Sequence, residues 1–318
     1  RKLDRPFPMP SILSLALTLS RASNLPTVWT NCLAAWTINQ SVEKIAGQTP
    51  AWHDPFLFDW GVLGWVLLGA SFVYSGGCVL NDAFDQNFDR QFNPHRPIPS
   101  GQIKASRVWA MGILFIILGG GVLVGPASTS VWWTGLLIGA VCLYDWCHKK
   151  WVGSVWIMGS CRSFLWLAAG SAAGAETMNQ VIVGSLCVGG YVVGISLFAR
   201  KETKRQDAHQ SGSVATLLLF SPCLVILSLL VLWNHLDPTR AFLLSFSGLF
   251  LGWVIVKAIM TMKNTRIPGS IGQGVSMLLA GICSVDALAV SLFAPALMAP
   301  CYLAQFSAQI LQKKFAAT

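Results

Sequence analysis

Residues Asn81-Asp82-Ala83-Phe84-Asp85-Gln86-Asn87-Phe88-Asp89 follow directly on the apolar run 60–80, and this junction decides the reading of the chain. On a helix, Asn81, Asp82, Asp85 and Asp89 fall within an arc of roughly 100°. Such a stripe offers several hard oxygens to one hydrated divalent cation. Magnesium is held by carboxylates together with phosphate oxygens, so a metal-bound diphosphate is the natural guest. Arg90, His95 and Arg96 come next, with Pro94, Pro97, Pro99 and Gly101 ending the helix. The bland alternative is that the acids cap a helix or balance Arg90 and Arg96. Three on one face exceed what a cap needs, and ionised groups beside hydrocarbon are costly without partners.

Outward from this junction the chain is that of a membrane protein. Of its 318 residues 54% are apolar and 11% charged, and fourteen are Trp. Charge is segregated, leaving stretches of about 18 residues or more that can cross ~30 Å of hydrocarbon as helices. A soluble helical core would show polar stripes, which these runs mostly lack. Nine spans are expected, at 25–42, 60–80, 107–126, 130–147, 153–172, 179–199, 213–233, 240–260 and 271–293. The fold class is therefore an all-α polytopic bundle. One domain covers 1–318, with an N-terminal interfacial segment at 1–24, helical over 9–20, and a C-terminal tail at 295–318. From Pro295 to Lys314 that tail is expected to be a helix that either lies on the surface or packs against the bundle.

The net charge of +9 does not point to nucleic acid, because no basic tract or recognition module carries it. The cations sit in alternate loops. One set holds Arg90, Arg96, Lys104, Arg107, Lys149, Lys150, Arg200, Lys201, Lys204, Arg205, Lys257, Lys263 and Arg266, with Arg1, Lys2, Arg5 and Arg21 on the same side. The opposite loops have Lys44 and Arg240. The positive-inside rule puts the N-terminus and the Asp-rich loop in the cytoplasm, and nine spans put the C-terminus outside. The expected compartment is a bacterial inner membrane. Nine dispersed cysteines without a CxxC pair read as small core residues. No small-residue cleavage site follows the first apolar run, so no cleavable leader is expected.

Further polar groups stand out. Glu202 and Asp207, in a segment with Lys201 and Arg205, form a candidate second acidic site. They lie roughly 140° apart on a regular helix, so they share a ligand only if the helix ends between them. Tyr144 and His148 are one turn apart, followed by Lys149, which suits a site and an interfacial aromatic belt equally well. Arg162 lies half-way along an apolar helix and should face a cavity or a carboxylate, with a diphosphate or Asp145 as its partner. Asp286, in the last span, is expected to be protonated or paired.

Together these residues resemble the UbiA superfamily of intramembrane prenyltransferases. Asn81–Asp89 fits its NDxxDxxxD motif, and Arg96-Pro97-Ile98-Pro99-Ser100-Gly101 matches the RPxxSG that follows. Arg21 and Asn24-Leu25-Pro26-Thr27 look like the entry to the family's first span. Tyr144 sits at the family's YxxxK, with His148 in the Lys place and Lys149 one position later. Glu202 and Asp207 only approximate the second motif, DxxxD. That departure, with the runs Asn24–Asn31 and Gly159–Arg162, resembles the EboC-like branch. The resemblance implies a helical bundle around a central cavity and a Mg²⁺-dependent transfer from a prenyl diphosphate to a lipophilic, commonly aromatic acceptor. The implied metal ligands are Asp82, Asp85, Asp89, Glu202 and Asp207. The implied substrate-binding groups are Arg21, Asn24, Asn81, Arg96, His148, Lys149, Arg162, Lys201 and Arg205, with Tyr144 facing the allylic cation. The competing reading is a carrier or lipid-binding protein that keeps the fold without transfer. The glycines at 119–121, 170, 174, 189 and 190 permit close helix contact, which serves folding as readily as assembly.

Overall fold

The computed structural model describes residues 12–46, 59–177, 179–200, 210–232, 237–264 and 268–314. Among them, helices and short turns are joined without a strand. A short helix α1 (Ile12–Leu19) precedes a 3-10 turn. Then follow α2 (Leu25–Ala46), α3 (Trp60–Phe84), α4 (Gln86–Phe92), α5 (Ala105–Val124) and α6 (Val131–Cys147). The rest are α7 (Ser154–Gly170), α8 (Asn179–Arg200), α9 (Gln210–Leu232), α10 (Pro238–Lys263), α11 (Ser270–Phe293) and α12 (Met298–Lys314). A helix lies over each of the nine apolar stretches. Of the described helices, α3, α5, α8, α10 and α11 are long and apolar enough to cross a membrane, while α6 and the apolar part of α9 are shorter.

Local chemistry sets the helix starts. The Asp59 carboxylate accepts from the backbone N–H groups of Gly61 and Val62 and caps α3. Pro238 opens α10, where its missing N–H costs nothing. Large apolar side chains turn outward, among them Ile117 on α5, Leu186 on α8 and Leu249 on α10, the last 76% exposed. A soluble protein would bury them. Here the outer face is a hydrocarbon-facing surface, as expected of an integral membrane protein.

Small residues decide how closely the helices approach. A Cβ on Gly119 of α5 would lie 2.7 Å from the backbone nitrogen of Val73 on α3. The two backbones are therefore in contact, and only glycine fits between them. Helix α1 lies against the end of α3, its Leu19 packed in a small cluster with Val79, Ala83, Ile98 and Val108. That cluster also anchors the turn-rich loop after α4 through Ile98.

The described part of the tail, 295–314, packs against the bundle. Cys301, Gln305 and Ala308 form one buried face of α12. Tyr302 donates to Ser247 of α10 (3.1 Å), the hydroxyl of Ser284 on α11 donates to Gln305, and Gln312 donates to Asn24 ahead of α2 (3.2 Å). With 17 residues, α12 is about 25 Å long. It runs back along α11 to the end of the bundle where α2 starts. This corrects the placement of the chain's C-terminal end opposite its N-terminal one: both ends of the described chain meet at the Asp-rich face. The tail helix is expected from the sequence; hydropathy alone leaves its docking open, because its buried side is small and polar and satisfied by partners on other elements.

Candidate active site

The Asp-rich stripe does not lie on one continuous helix. Helix α3 stops at Phe84, Asp85 forms a turn, and α4 restarts at Gln86. Backbone bonds from Asp85 to Asn81 and from Asp89 to Asp85, both 2.9 Å, keep the two pieces nearly aligned. All four polar side chains are still buried, but they face different partners.

Asp82 and Asp89 share one cation. The Arg96 Nη1 stands 2.9 Å from Asp82 Oδ1 and 3.3 Å from Asp89 Oδ2. The loop holds that guanidinium in place: Ser100 Oγ donates to the Arg96 carbonyl, and Gly101 takes a positive φ of 78° to close the turn. Asn93 fixes the other side of Asp89 with a 2.8 Å bond. Asp85 turns elsewhere, to His148 Nε2 at 3.2 Å and Lys149 Nζ at 3.4 Å. Burial pushes its carboxyl pKa up, but the hydrogen bond and charge of His148 and the charge of Lys149 outweigh this and hold it below the usual value.

Asn81 bridges two other elements. Its Oδ1 accepts from Arg21 Nη2 at 3.0 Å, and its Nδ2 donates to Asp145 Oδ1 at 3.1 Å. Arg21 reaches this position from a left-handed backbone conformation (φ 45°) between α1 and α2. Tyr144 and His148 do face the same way, their rings stacked 5.0 Å apart. Arg200, at the end of α8, bonds Ser154 Oγ (2.6 Å) and the His148 carbonyl (3.0 Å), which ties α8 to the turn after α6.

These groups close one end of a cavity of about 480 Å³. Arg21, Asn24, Asn81, Asp85, Arg96, Tyr144, His148 and Lys149 line it, and deeper in it becomes apolar, with Val192, Ile195, Leu279 and Ile282. Arg162 also lines it, but its partner is not Asp145. It donates to Asn31 Oδ1 (3.0 Å) and Thr27 Oγ1 (3.1 Å). Asn31 Nδ2 in turn reaches both oxygens of Asp286, at 2.8 and 2.9 Å. An amide thus bridges the partly buried Arg162 and the fully buried Asp286 on different helices. Sequence reasoning placed neither Asn31 nor Arg200 in the site. The available signal for Asn31 was a polar side chain within an apolar helix.

Among the described residues no three His, Cys, Asp or Glu side chains converge on one metal position. The donor set nonetheless fits Mg²⁺. Two carboxylates already aim at one positive atom, Arg96 Nη1, which stands in for a cation, and magnesium commonly uses one or two carboxylates with phosphate oxygens and water. The candidate second site (Lys201, Glu202, Arg205 and Asp207) lies outside the described residues.

A model of the UbiA prenyltransferase family matches residues 45–267. The chain belongs to the UbiA prenyltransferase family. Among curated relatives, it is 33% identical to the 4-hydroxybenzoate octaprenyltransferase of Paracidovorax citrulli over 39% of this chain and 40% of that protein. It is 38% identical to the digeranylgeranylglyceryl phosphate synthase of Sulfurisphaera tokodaii over 17% of this chain and 19% of that protein. A protoheme IX farnesyltransferase of Bdellovibrio bacteriovorus is 30% identical over 34% and 38% of the two chains. The matched region spans at most 40% of these three relatives. Solved structures agree over far more of the fold. One concerning digeranylgeranylglyceryl phosphate synthase in membranes superposes with a TM-score of 0.61, at 19% identity, covering 89% of this chain and 99% of that one. The apo structure of a UbiA homolog from Aeropyrum pernix K1 gives 0.59 at 12% identity, covering 84% and 95%. At such identities the likeness shows the UbiA fold.

Proposed function

We propose that this UbiA-family protein is a Mg²⁺-dependent intramembrane prenyltransferase, moving a polyprenyl group from a prenyl diphosphate to a lipophilic acceptor. The observation that carries this is the two-ended cavity: carboxylates and cations close one end, and apolar side chains line the other. A prenyl diphosphate has the same polarity. The relatives' names point the same way, since octaprenyl, geranylgeranyl and farnesyl groups recur in them while the acceptor changes.

Asp82 and Asp89, with Asp85 beside them, would hold the cation. Bound there, Mg²⁺ supplies Lewis-acid polarisation and neutralises the charge of the leaving diphosphate. Arg21, Arg96 and Lys149 reach the same end and can bind diphosphate oxygens, with Arg96 exchanging its carboxylates for phosphate. The Tyr144 ring, held by its stack on His148, presents a π face to the allylic carbon as that carbon becomes positive. The apolar wall keeps water from capturing it. Loop charge puts this end on the cytoplasmic side.

The test is diphosphate release from a prenyl diphosphate by the purified protein in lipid nanodiscs. Asp85→Asn should lose release by about 100-fold or more while keeping the wild-type elution profile. Turnover within twofold of wild type would remove the carboxylate from the mechanism.

A further inference from the structure

Asp145 is the carboxylate of the cavity wall that the metal motif does not use. It sits on α6, is 5% exposed and lines the cavity. Its Oδ1 accepts from Asn81, while its Oδ2 is buried and has no hydrogen-bond partner among the described residues. A buried acceptor left unpaired is costly, so its presence calls for a donor brought by a ligand. The neighbouring groups are committed elsewhere. Asp85, the other carboxylate lining the cavity, is engaged by His148 and Lys149. The two His148 ring nitrogens face Asp85 and the Asp145 carbonyl.

The geometry points to Asp145 Oδ2 as the group that takes the proton of the prenyl acceptor, which therefore presents an O–H, N–H or ring C–H to α6. This rests on the transfer reaction proposed above. In that step the donor's C1–O bond breaks, and its electron pair leaves with the diphosphate. The acceptor atom forms the new bond to C1, and its proton passes to Asp145 Oδ2. The proton then moves to the diphosphate or to water as products leave. Nothing is oxidised or reduced. Asn81 joins Arg21, at the diphosphate end, to the proton acceptor through one amide, so the two ends of the reaction are held in register.

The test separates ionisation from coupling. Purified protein in nanodiscs is given geranylgeranyl diphosphate, Mg²⁺ and, as probe acceptors, 4-hydroxybenzoate (a ring C–H) and geranylgeranylglyceryl phosphate (an O–H). Diphosphate and alkylated acceptor are measured together. Asp145→Asn keeps the shape and the Asn81 bond but removes the base. The alkylated product per diphosphate released should fall about 100-fold, with prenyl alcohol from water capture in its place. Asp145→Glu, which retains a carboxylate, should recover part of the ratio. Equal loss of both products in Asp145→Asn, or an unchanged ratio, would overturn the assignment. Wild-type protein that releases diphosphate yet alkylates neither acceptor would also overturn it, while ionisation itself would stand. Absence of Mg²⁺-dependent diphosphate release in the wild type would instead count against the underlying reaction.

Discussion

Replacing Arg96 by Ala tests the idea that its guanidinium occupies the cation position. Arg96 Nη1 is within 3.3 Å of both the Asp82 and Asp89 carboxylates, and the Asp89 side chain is only 3% exposed. Removing the guanidinium leaves the two carboxylates facing each other, with Arg21, 3.8 Å from Asp82 Oδ1, as the remaining cation beside them. Breaking a buried pair in this way costs about 3–5 kcal/mol. Mg²⁺ with inorganic diphosphate should then return much of the loss. A ligand at 100 times its dissociation constant contributes roughly 2.7 kcal/mol. In the wild type the same ligand must first displace the guanidinium, so its effect there should be smaller. The assay is unfolding in detergent at fixed protein concentration, with and without Mg²⁺ and diphosphate. Arg96→Ala should be clearly less stable without the ligand and gain more from it than the wild type. A variant as stable as wild type in metal-free buffer, or equal stabilisation of both by Mg²⁺, would refute the reasoning.

Other outcomes follow from the packing. Asn31→Ala strips both amide hydrogen bonds from the fully buried Asp286 and should cost about 3 kcal/mol, whereas the double change Asn31→Ala/Asp286→Ala should cost less than the sum of the singles. A double-mutant cycle with no coupling would remove the bridge from the account. Gly119→Ala should destabilise by about 1–3 kcal/mol, because its Cβ meets the backbone of α3, while Gly121→Ala, with nothing within 4 Å, should be neutral or stabilising. Unfolding of the two variants side by side checks this. A cysteine placed at Lys313, in a background with the other accessible thiols removed, should react with an impermeant reagent from the same membrane face as one placed at Arg90. Labelling from opposite faces would contradict the return path of α12.

The helices were legible because long apolar runs have few alternatives in a membrane. Boundaries such as Trp60 and Ser270 fall within a residue of the expected edges at 60 and 271. The Asp motif and its RP loop were legible as partners as well, since Arg96 follows too closely to reach far beyond them. Side-chain allocation was not legible. Spacing places Asn81, Asp82, Asp85 and Asp89 on one face, but the turn at Asp85 and the cations of two other segments divide them. The Arg162–Asn31–Asp286 bridge joins α7, α2 and α11, and no local pattern reports contacts at such separation. The tail helix α12 was legible as a helix, but its docking was not: Gln305 and Gln312 lower its hydropathy, and their cost is removed by Ser284 and Asn24 on other elements.

The most direct measurement follows wild-type protein in nanodiscs with geranylgeranyl diphosphate, assayed for diphosphate release with Mg²⁺ and again after chelation by EDTA. The cavity and the carboxylates paired on Arg96, which lines it, predict release that requires Mg²⁺ and returns when the ion is restored. Release that persists undiminished in EDTA, or no release at all from folded protein, would contradict a metal-assisted prenyl transfer at this site.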